Sequence, residues 1–336
     1  MRHAHTIVAI GLIAPLLAGC GEEPRAWGEV NSIIAVTSQE QWAALGEMVE
    51  SAMETTVITV RSEKTFRVTH QAPEGDNWGR LQRFRQLLLI GTPDSPWLAD
   101  ALALTDRESF NPPELIQVGD VWARGQNATL LLLPSEGAAG AQELMEPLHD
   151  LLDDQYRQWV HSQQFQSGQD SVLADTLWNE AGFGLLLPEV YQHRIVDSVH
   201  IFRNDNPTPS ELIRQITVAW KSPAPEELSQ EEVLAWRADV VDRHFIYDQV
   251  VDMDMAQTRR LQMGEQVLDE FRAVWANPPG DLFPAGGPLI VWSVPCPAQD
   301  RHYLLDAWLY APGRDKYQYL LQLETILNTF RCRAEA

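Results

Sequence analysis

The stretch YLLDAWLYAPGRDKYQYLLQLETILNTFRC (303–332) contains, in order, an apolar run, a turn and an amphipathic segment. The run YLLDAWLY (303–310) has the length of a strand, and the Ala-Pro-Gly sequence after it indicates a turn. A helix over about 315–331 is predicted, and its backbone amides either hold an anion or are capped by Asp315. Its apolar residues recur at helical spacing: Leu320, Leu323, Leu327 and Phe330. This order predicts a helix packed on a sheet.

Further strands precede this stretch and are joined by short, turn-rich connections. They are SVHIFRND (198–205), LIRQITVAW (212–220) and PLIVWSV (288–294). Ser229 and Glu232 form a capping-box pattern at the start of another amphipathic helix. Strands with short connections pair antiparallel. We therefore predict a C-terminal α+β domain at 183–333.

The part of the chain before residue 166 has mixed α/β character. Its strand-like runs are SIIAVTS (32–38), TFRVTHQ (65–71), RQLLLIG (85–91) and the hairpin of GDVWARGQ (119–126) with NATLLLLPS (127–135). A long amphipathic helix at about 139–164 follows, and then a polar, Ser/Gln-rich segment. We predict an N-terminal α/β domain at 31–165 and a linker at 166–182. The predicted fold class is α+β, with two α/β sandwich domains, each a largely antiparallel sheet covered by amphipathic helices.

Residues 1–19 have the pattern of a lipoprotein signal peptide. A short basic start leads into an apolar run that is shorter than the roughly 20 residues of a membrane-spanning helix. The run ends in LAGC (17–20), which matches a lipobox, so we expect acylation of the Cys20 sulfur. Residues 20–30 then form a polar tether. The alternative is that Cys20 is a small apolar residue of an ordinary signal or anchor.

This pattern predicts a location in the bacterial cell envelope. The lipid on the N-terminus would hold the protein at a membrane. The residue after Cys20 is Gly21 and not an aspartate. By analogy with lipoprotein sorting, this favours the outer membrane, with the protein facing the periplasm.

Composition restricts the function classes. A hydrophobic content of 45% and twelve Trp residues indicate packed cores. The net charge is −22, so the protein is repelled by nucleic-acid phosphates. We therefore expect no nucleic-acid partner.

Two cysteines remain after Cys20. Cys296 ends the apolar run LIVWSVPC, and Cys332 follows the last helical segment. In an oxidising compartment they form a candidate disulfide, which would stabilise the fold by about 3–4 kcal/mol. The alternative is two unpaired, partly buried thiols.

No motif in the sequence indicates a catalytic, metal or cofactor site. Phosphate-binding glycine loops, a nucleophile elbow and zinc-type Cys/His spacing are all missing from the sequence. The turn-rich segment between two strands is a candidate recognition loop, or alternatively only a well-made hairpin. Its candidate residues are Arg203, Asn204, Asp205, Asn206 and Arg214.

Several segments, in this order behind a lipobox, resemble the bacterial lipoprotein family known as domain of unknown function 4837 (DUF4837). They are VWARGQNATLLLL (121–133), HIFRNDNPTP (200–209), WRADVV (236–241), GGPLIVW (286–292) and DAWLYAPGRDKYQYLLQLETILNTF (306–330). The resemblance spans nearly all of the chain after the signal peptide. It implies an envelope lipoprotein and supplies no catalytic residues.

Our leading hypothesis is a lipid-anchored, non-enzymatic envelope protein that binds a protein or a small molecule and uses no cofactor. The alternative is an envelope hydrolase acting on glycan or peptide, with carboxylates that are distant in sequence. A third possibility is a structural scaffold.

Overall fold

The computed structural model describes residues 24–135, 137–205, 212–264, 266–281 and 284–333. These residues form a five-stranded sheet in the N-terminal half and a seven-stranded sheet in the C-terminal half, besides two small two-stranded sheets. The predicted α+β class is confirmed. No described helix is both long and apolar enough to cross a membrane.

The N-terminal sheet has the strand order β4-β1-β5-β7-β6 and is covered by helices on both faces. The elements of this half are β1 (Ser32–Val36), α1 (Gln39–Met53), β2 (Thr56–Val57), β3 (Glu63–Lys64), β4 (Arg67–Gln71), α2 (Trp78–Leu81), β5 (Gln86–Gly91), α3 (Ala99–Ala103), β6 (Glu114–Gly119), β7 (Asn127–Leu132) and α4 (Met145–Gln164).

This sheet differs from the largely antiparallel arrangement predicted for it. β1 pairs parallel with β4 and β5, and β5 pairs parallel with β7. Among the described pairs of this sheet, β6 and β7 are antiparallel. The second strand of the predicted hairpin is confirmed as β7, but its first strand is β6 at Glu114–Gly119, and most of the predicted strand 119–126 forms the connection between them. Every residue of β5 is buried, as expected for a strand that has helices on both faces.

The C-terminal sheet has the order β12-β13-β14-β15-β11-β10-β9, and all of its described pairs are antiparallel. The elements of this half are α5 (Ser171–Thr176), β8 (Phe183–Gly184), β9 (Gln192–Val196), β10 (Val199–Asn204), β11 (Ile213–Lys221), α6 (Gln230–His244), β12 (Val250–Met263), β13 (Gln266–Ala276), β14 (Gly286–Cys296), β15 (Arg301–Tyr310), α7 (Tyr317–Leu327) and β16 (Arg331–Cys332).

Two helices cover opposite faces of this sheet. α6 packs Val233, Trp236 and Val240 on one face. Its N-terminus has the predicted capping box, with reciprocal hydrogen bonds between Ser229 and Glu232. α7 packs on the other face.

The segment predicted as a linker is not entirely irregular. α5 and a π-helical turn at Leu177–Ala181 lie within residues 166–182. Leu177 is 1% exposed and packs in the core between the C-terminal sheet and α7. This part of the segment therefore belongs to the C-terminal core.

Helix α7 is shared by both halves of the protein. Leu320 and Leu323 pack in the C-terminal core, whereas Tyr317 and Leu321 pack in the N-terminal core beside α4. The backbone N–H of Tyr317 at its start donates to the Glu63 carboxylate of β3 over 2.7 Å. An anion from the N-terminal half therefore caps this helix.

The carboxylate of Glu324 joins the two halves through α7. It is 6% exposed and accepts hydrogen bonds from Arg157 of α4 (2.5 Å) and from Arg272 of β13 (2.7 Å). Arg157 also pairs with Asp153 over 2.6 Å, and Arg272 with Glu270 over 2.7 Å. A buried charge is stable only when it is paired and hydrogen-bonded, and both conditions are met here.

We predict that Glu324→Ala lowers the free energy of unfolding by about 2 kcal/mol, because two arginines lose a charged acceptor at the junction. Urea denaturation followed by tryptophan fluorescence measures the change. The control is Glu47→Ala on the exposed side of α1. A loss no larger than that of the control would contradict the role assigned to Glu324.

Candidate functional site

A row of three side chains crosses neighbouring strands on the α6 face of the C-terminal sheet. Arg203 of β10 lies opposite Gln215 of β11, and Gln215 lies opposite Trp308 of β15. Residues directly opposite one another point to the same face of a sheet. All three line a cavity beside the C-terminal end of α6, which ends at His244.

The cavity has a volume of about 330 Å³. Ligand pockets in proteins measure about 300–1,000 Å³, so this one has room for a small ligand. Trp275 packs edge-on against Trp308, with ring centroids 5.3 Å apart. The ring centroid of Phe245 lies 5.9 Å from that of Trp308. The other lining residues are Arg194, Ile213, Ile246, Tyr247, Gln249, Asn277, Ala285 and Tyr310.

Among the residues that the structure describes, the charged side chains lining the cavity are two arginines. Arg194 Nη2 donates to the His244 carbonyl over 3.2 Å, and Arg203 Nε donates to Asp205 over 3.1 Å. A guanidinium has five N–H donors, so each arginine has donors beyond these bonds. The cavity is therefore locally cationic in a protein with a net charge of −22.

One tryptophan that lines the cavity has a buried hydrogen-bond donor without a partner in the described part of the chain. Trp308 is 6% exposed, and its indole Nε1 has no hydrogen-bond partner among the described residues. The Trp275 indole, in contrast, donates to the Leu309 carbonyl over 3.2 Å. An unpaired buried donor carries a desolvation cost, which an acceptor on a bound molecule would reduce.

A buried ion pair holds α6 on the sheet next to this cavity. Arg237 of α6 donates through Nε to Asp306 of β15 over 2.9 Å, and each side chain is 1% exposed. Arg237 Nη2 also donates to the cavity residue Gln249 over 2.6 Å. Complete burial raises the pKa of Asp306, although the Arg237 charge opposes this. The pair connects the helix, the sheet and the cavity wall.

The candidate recognition-loop residues that the structure describes are divided between the two faces of the sheet. Arg203 lines the cavity and pairs with Asp205, whereas Asn204 is buried at the end of β10. Arg214 lies on the opposite face, where it donates to Gln322 of α7 over 2.7 Å. The separation follows from strand geometry, because neighbours along β11 alternate between faces. Asn206 lies outside the described residues.

Most of the residues that line the cavity could not be recognised from the sequence. Trp275 and Trp308 lie within apolar strands, so their pattern indicates core residues, and nothing near Arg194 indicates a site. The one cavity residue that the sequence pointed to is Arg203, a cation at the end of an apolar strand in an acidic protein. The other lining residues come together only through the pairing of strands that are distant in sequence.

Cys296 and Cys332 lie side by side in the structure. They form a disulfide between the end of β14 and β16, with Cα atoms 6.1 Å apart. The link attaches the end of the chain after α7 to the C-terminal sheet. Cys20 lies outside the described residues.

Of the buried acids that the structure describes, Glu270, Asp306 and Glu324 take part in ion pairs, and Glu63 caps α7. Glu270 accepts from Arg259, Arg272 and the Trp292 indole. Burial would raise the pKa of Glu270, but these hydrogen bonds and charges outweigh burial and hold it below its ordinary value. No cluster of three potential metal ligands is found among the described residues.

The observed fold and cavity define an α+β protein with a ligand-sized, cationic and aromatic pocket on an antiparallel sheet. Within this chain, residues 170–329 match the model of the domain of unknown function DUF4837. The family resemblance predicted from the sequence is thus confirmed over those residues. They contain the entire row of Arg203, Gln215 and Trp308.

No curated protein sequence matches the chain. Among solved structures, it is similar to the cyanobacterial PsbP protein CyanoP from Synechocystis sp. PCC 6803, with 10% identity over 46% of this chain and 88% of that chain and a TM-score of 0.30. It is also similar to the Ran-binding protein Mog1p from Saccharomyces cerevisiae, with 13% identity, coverages of 46% and 93%, and a TM-score of 0.32. At these scores neither similarity bears on function.

We predict that Arg237→Met destabilises the protein by about 3–5 kcal/mol, because it leaves Asp306 buried without its cation. The double variant Arg237→Met/Asp306→Leu should recover most of this loss, since no charge remains in the core. The stabilities of the wild type and of both variants are compared by urea denaturation. The control is Arg243→Met, which alters an exposed ion pair. A double variant less stable than Arg237→Met would contradict this interpretation.

Proposed function

We propose that the chain is a lipid-anchored, non-enzymatic protein of the bacterial cell envelope, and that it binds a small molecule in the cavity beside α6. The lipobox ending at Cys20 supports the anchor and the location. One observation carries the binding role: a 330 Å³ cavity lined by aromatic rings and two arginines. Such pockets, apolar with a few polar groups, are typical ligand sites.

The alternative of an envelope hydrolase has less support. A glycosidase-type site requires two carboxyl groups that face an accessible cleft, one of them with a raised pKa. Asp306 has a raised pKa but is 1% exposed and paired with Arg237. Glu270 and Glu324 both bind Arg272, and the pKa of Glu270 is lowered. This arrangement favours a structural role for these acids.

Acylation at Cys20 is the first prediction of this proposal. When the full chain is produced in a bacterium fed with an alkyne-bearing fatty acid, the protein should carry the label and sediment with the membranes. Cys20→Ser should lose the label, because the acylated sulfur is removed. The matched control, Cys296→Ser/Cys332→Ser, should keep it. Equal labelling of the wild type and Cys20→Ser would refute the anchor.

Binding of a small apolar probe in the cavity is the second prediction. Titration of the chain from residue 21 onward with the neutral dye N-phenyl-1-naphthylamine should give a saturable fluorescence increase with one site per molecule. Ala285→Trp should reduce the affinity at least about tenfold, because the new ring occupies the cavity that Ala285 lines.

The control for this titration is Val172→Trp, which adds the same ring at an exposed position of α5. It should bind the dye like the wild type. Circular dichroism of both variants verifies that they are folded. Dye binding that does not saturate, or that is the same in folded Ala285→Trp, would overturn the binding role.

A further inference from the structure

Apolar side chains form one part of the cavity wall. Trp275 and Trp308 meet edge-on there, and Phe245 packs on Trp308 from the segment after α6. Ile213 and Tyr310, which lie opposite each other on β11 and β15, extend this surface. Aromatic and aliphatic walls bind an apolar ring or a short chain.

Two arginines give the cavity its charge. Arg194 comes from β9 and Arg203 from β10, and both line the cavity. Arg203 shares its charge with Asp205, whereas Arg194 has no carboxylate partner among the described residues. A cationic group beside apolar walls favours an anion over a neutral molecule, and arginine matches the geometry of an acid group with two oxygens.

The indole N–H of Trp308 is an unpaired donor next to the cavity. It lies in the same row as Arg203, with Gln215 between them. The Trp308 indole N–H has no acceptor among the described residues, although the residue is only 6% exposed. A ligand oxygen that reached this N–H after a small rotation of the ring would supply the acceptor.

We infer that the cavity binds a small organic anion, an apolar ring or short chain that carries one carboxylate or sulfonate group. The apolar part lies against Trp275 and Trp308, and the acid group lies toward Arg194 and Arg203. This inference rests on the proposed function, because it names the ligand class of the same cavity. The proposed ligand is a soluble anion and not a membrane lipid, because a cavity of about 330 Å³ suits a single ring or short chain.

Two dyes that differ by one acid group test this inference. 8-Anilinonaphthalene-1-sulfonate has the ring system of N-phenyl-1-naphthylamine with one sulfonate added. The wild type should bind the sulfonate at least about tenfold more tightly, because a charge-assisted hydrogen bond contributes about that factor. Arg194→Gln/Arg203→Gln should remove this preference and leave binding of the neutral dye within about twofold.

The charge-matched control is Arg260→Gln/Arg243→Gln. These arginines are exposed, pair with Asp269 and Asp239, and do not line the cavity. This double variant should keep the preference for the sulfonate. Equal affinity of the wild type for the two dyes would overturn the inference and leave the binding role intact. Loss of the preference in the control to the same extent would also overturn it, because net charge would then be the cause.

A displacement measurement tests whether the anionic group belongs to a soluble molecule or to a membrane lipid. Soluble naphthalene-2-carboxylate should displace the bound sulfonate dye from the wild type, and it should fail to do so from Ala285→Trp at equal dye occupancy. Vesicles of phosphatidylglycerol should not displace it once partition of free dye into the vesicles is subtracted. Displacement by the vesicles but not by the soluble carboxylate would overturn the assignment of a soluble ligand.

Discussion

The carboxylate of Glu324 is the point on which the arrangement of the two halves depends. Helix α7 is buried on both sides, and a polar residue within such a helix requires partners from both neighbours. Arg157 of the N-terminal half and Arg272 of the C-terminal sheet provide them. Glu63 caps the start of the same helix from the N-terminal half. Charged groups therefore fix the position of α7, while its leucines pack in both cores: Leu320, Leu323 and Leu327 in the C-terminal one and Leu321 in the N-terminal one.

The cavity is a consequence of how α6 covers the other face of the sheet. The buried pair of Arg237 and Asp306 holds the helix at one position. α6 ends at His244, and the segment that follows it lines the cavity together with Arg203 and Trp308. That segment contributes aromatic and aliphatic walls and leaves a space of ligand size. The same ion pair that stabilises the fold thus also sets one wall of the candidate site.

The sequence predicted local features better than pairings between distant segments. The Ser229 capping box forms as expected, and Ser38 accepts a hydrogen bond from the Gln41 backbone at the start of α1. These features involve neighbours in the chain. The parallel pairing of β1 with β5 was not predicted, because apolar runs are compatible with either direction. The two arginines that flank the candidate recognition loop lie on opposite faces of the sheet, because neighbouring residues along a strand alternate between faces.

By itself, the sequence determined the α+β class, the family resemblance over residues 170–329, and the lipobox pattern from which the anchor is proposed. All of these are encoded by periodicity, capping residues or short motifs, which act over a few residues. Only the tertiary structure decided which residues form the cavity and which hold α7 between the halves. Arg194, Arg203, Gln215, Trp275 and Trp308 come from five different strands. Strand register places them together, and register depends on contacts that no single segment contains.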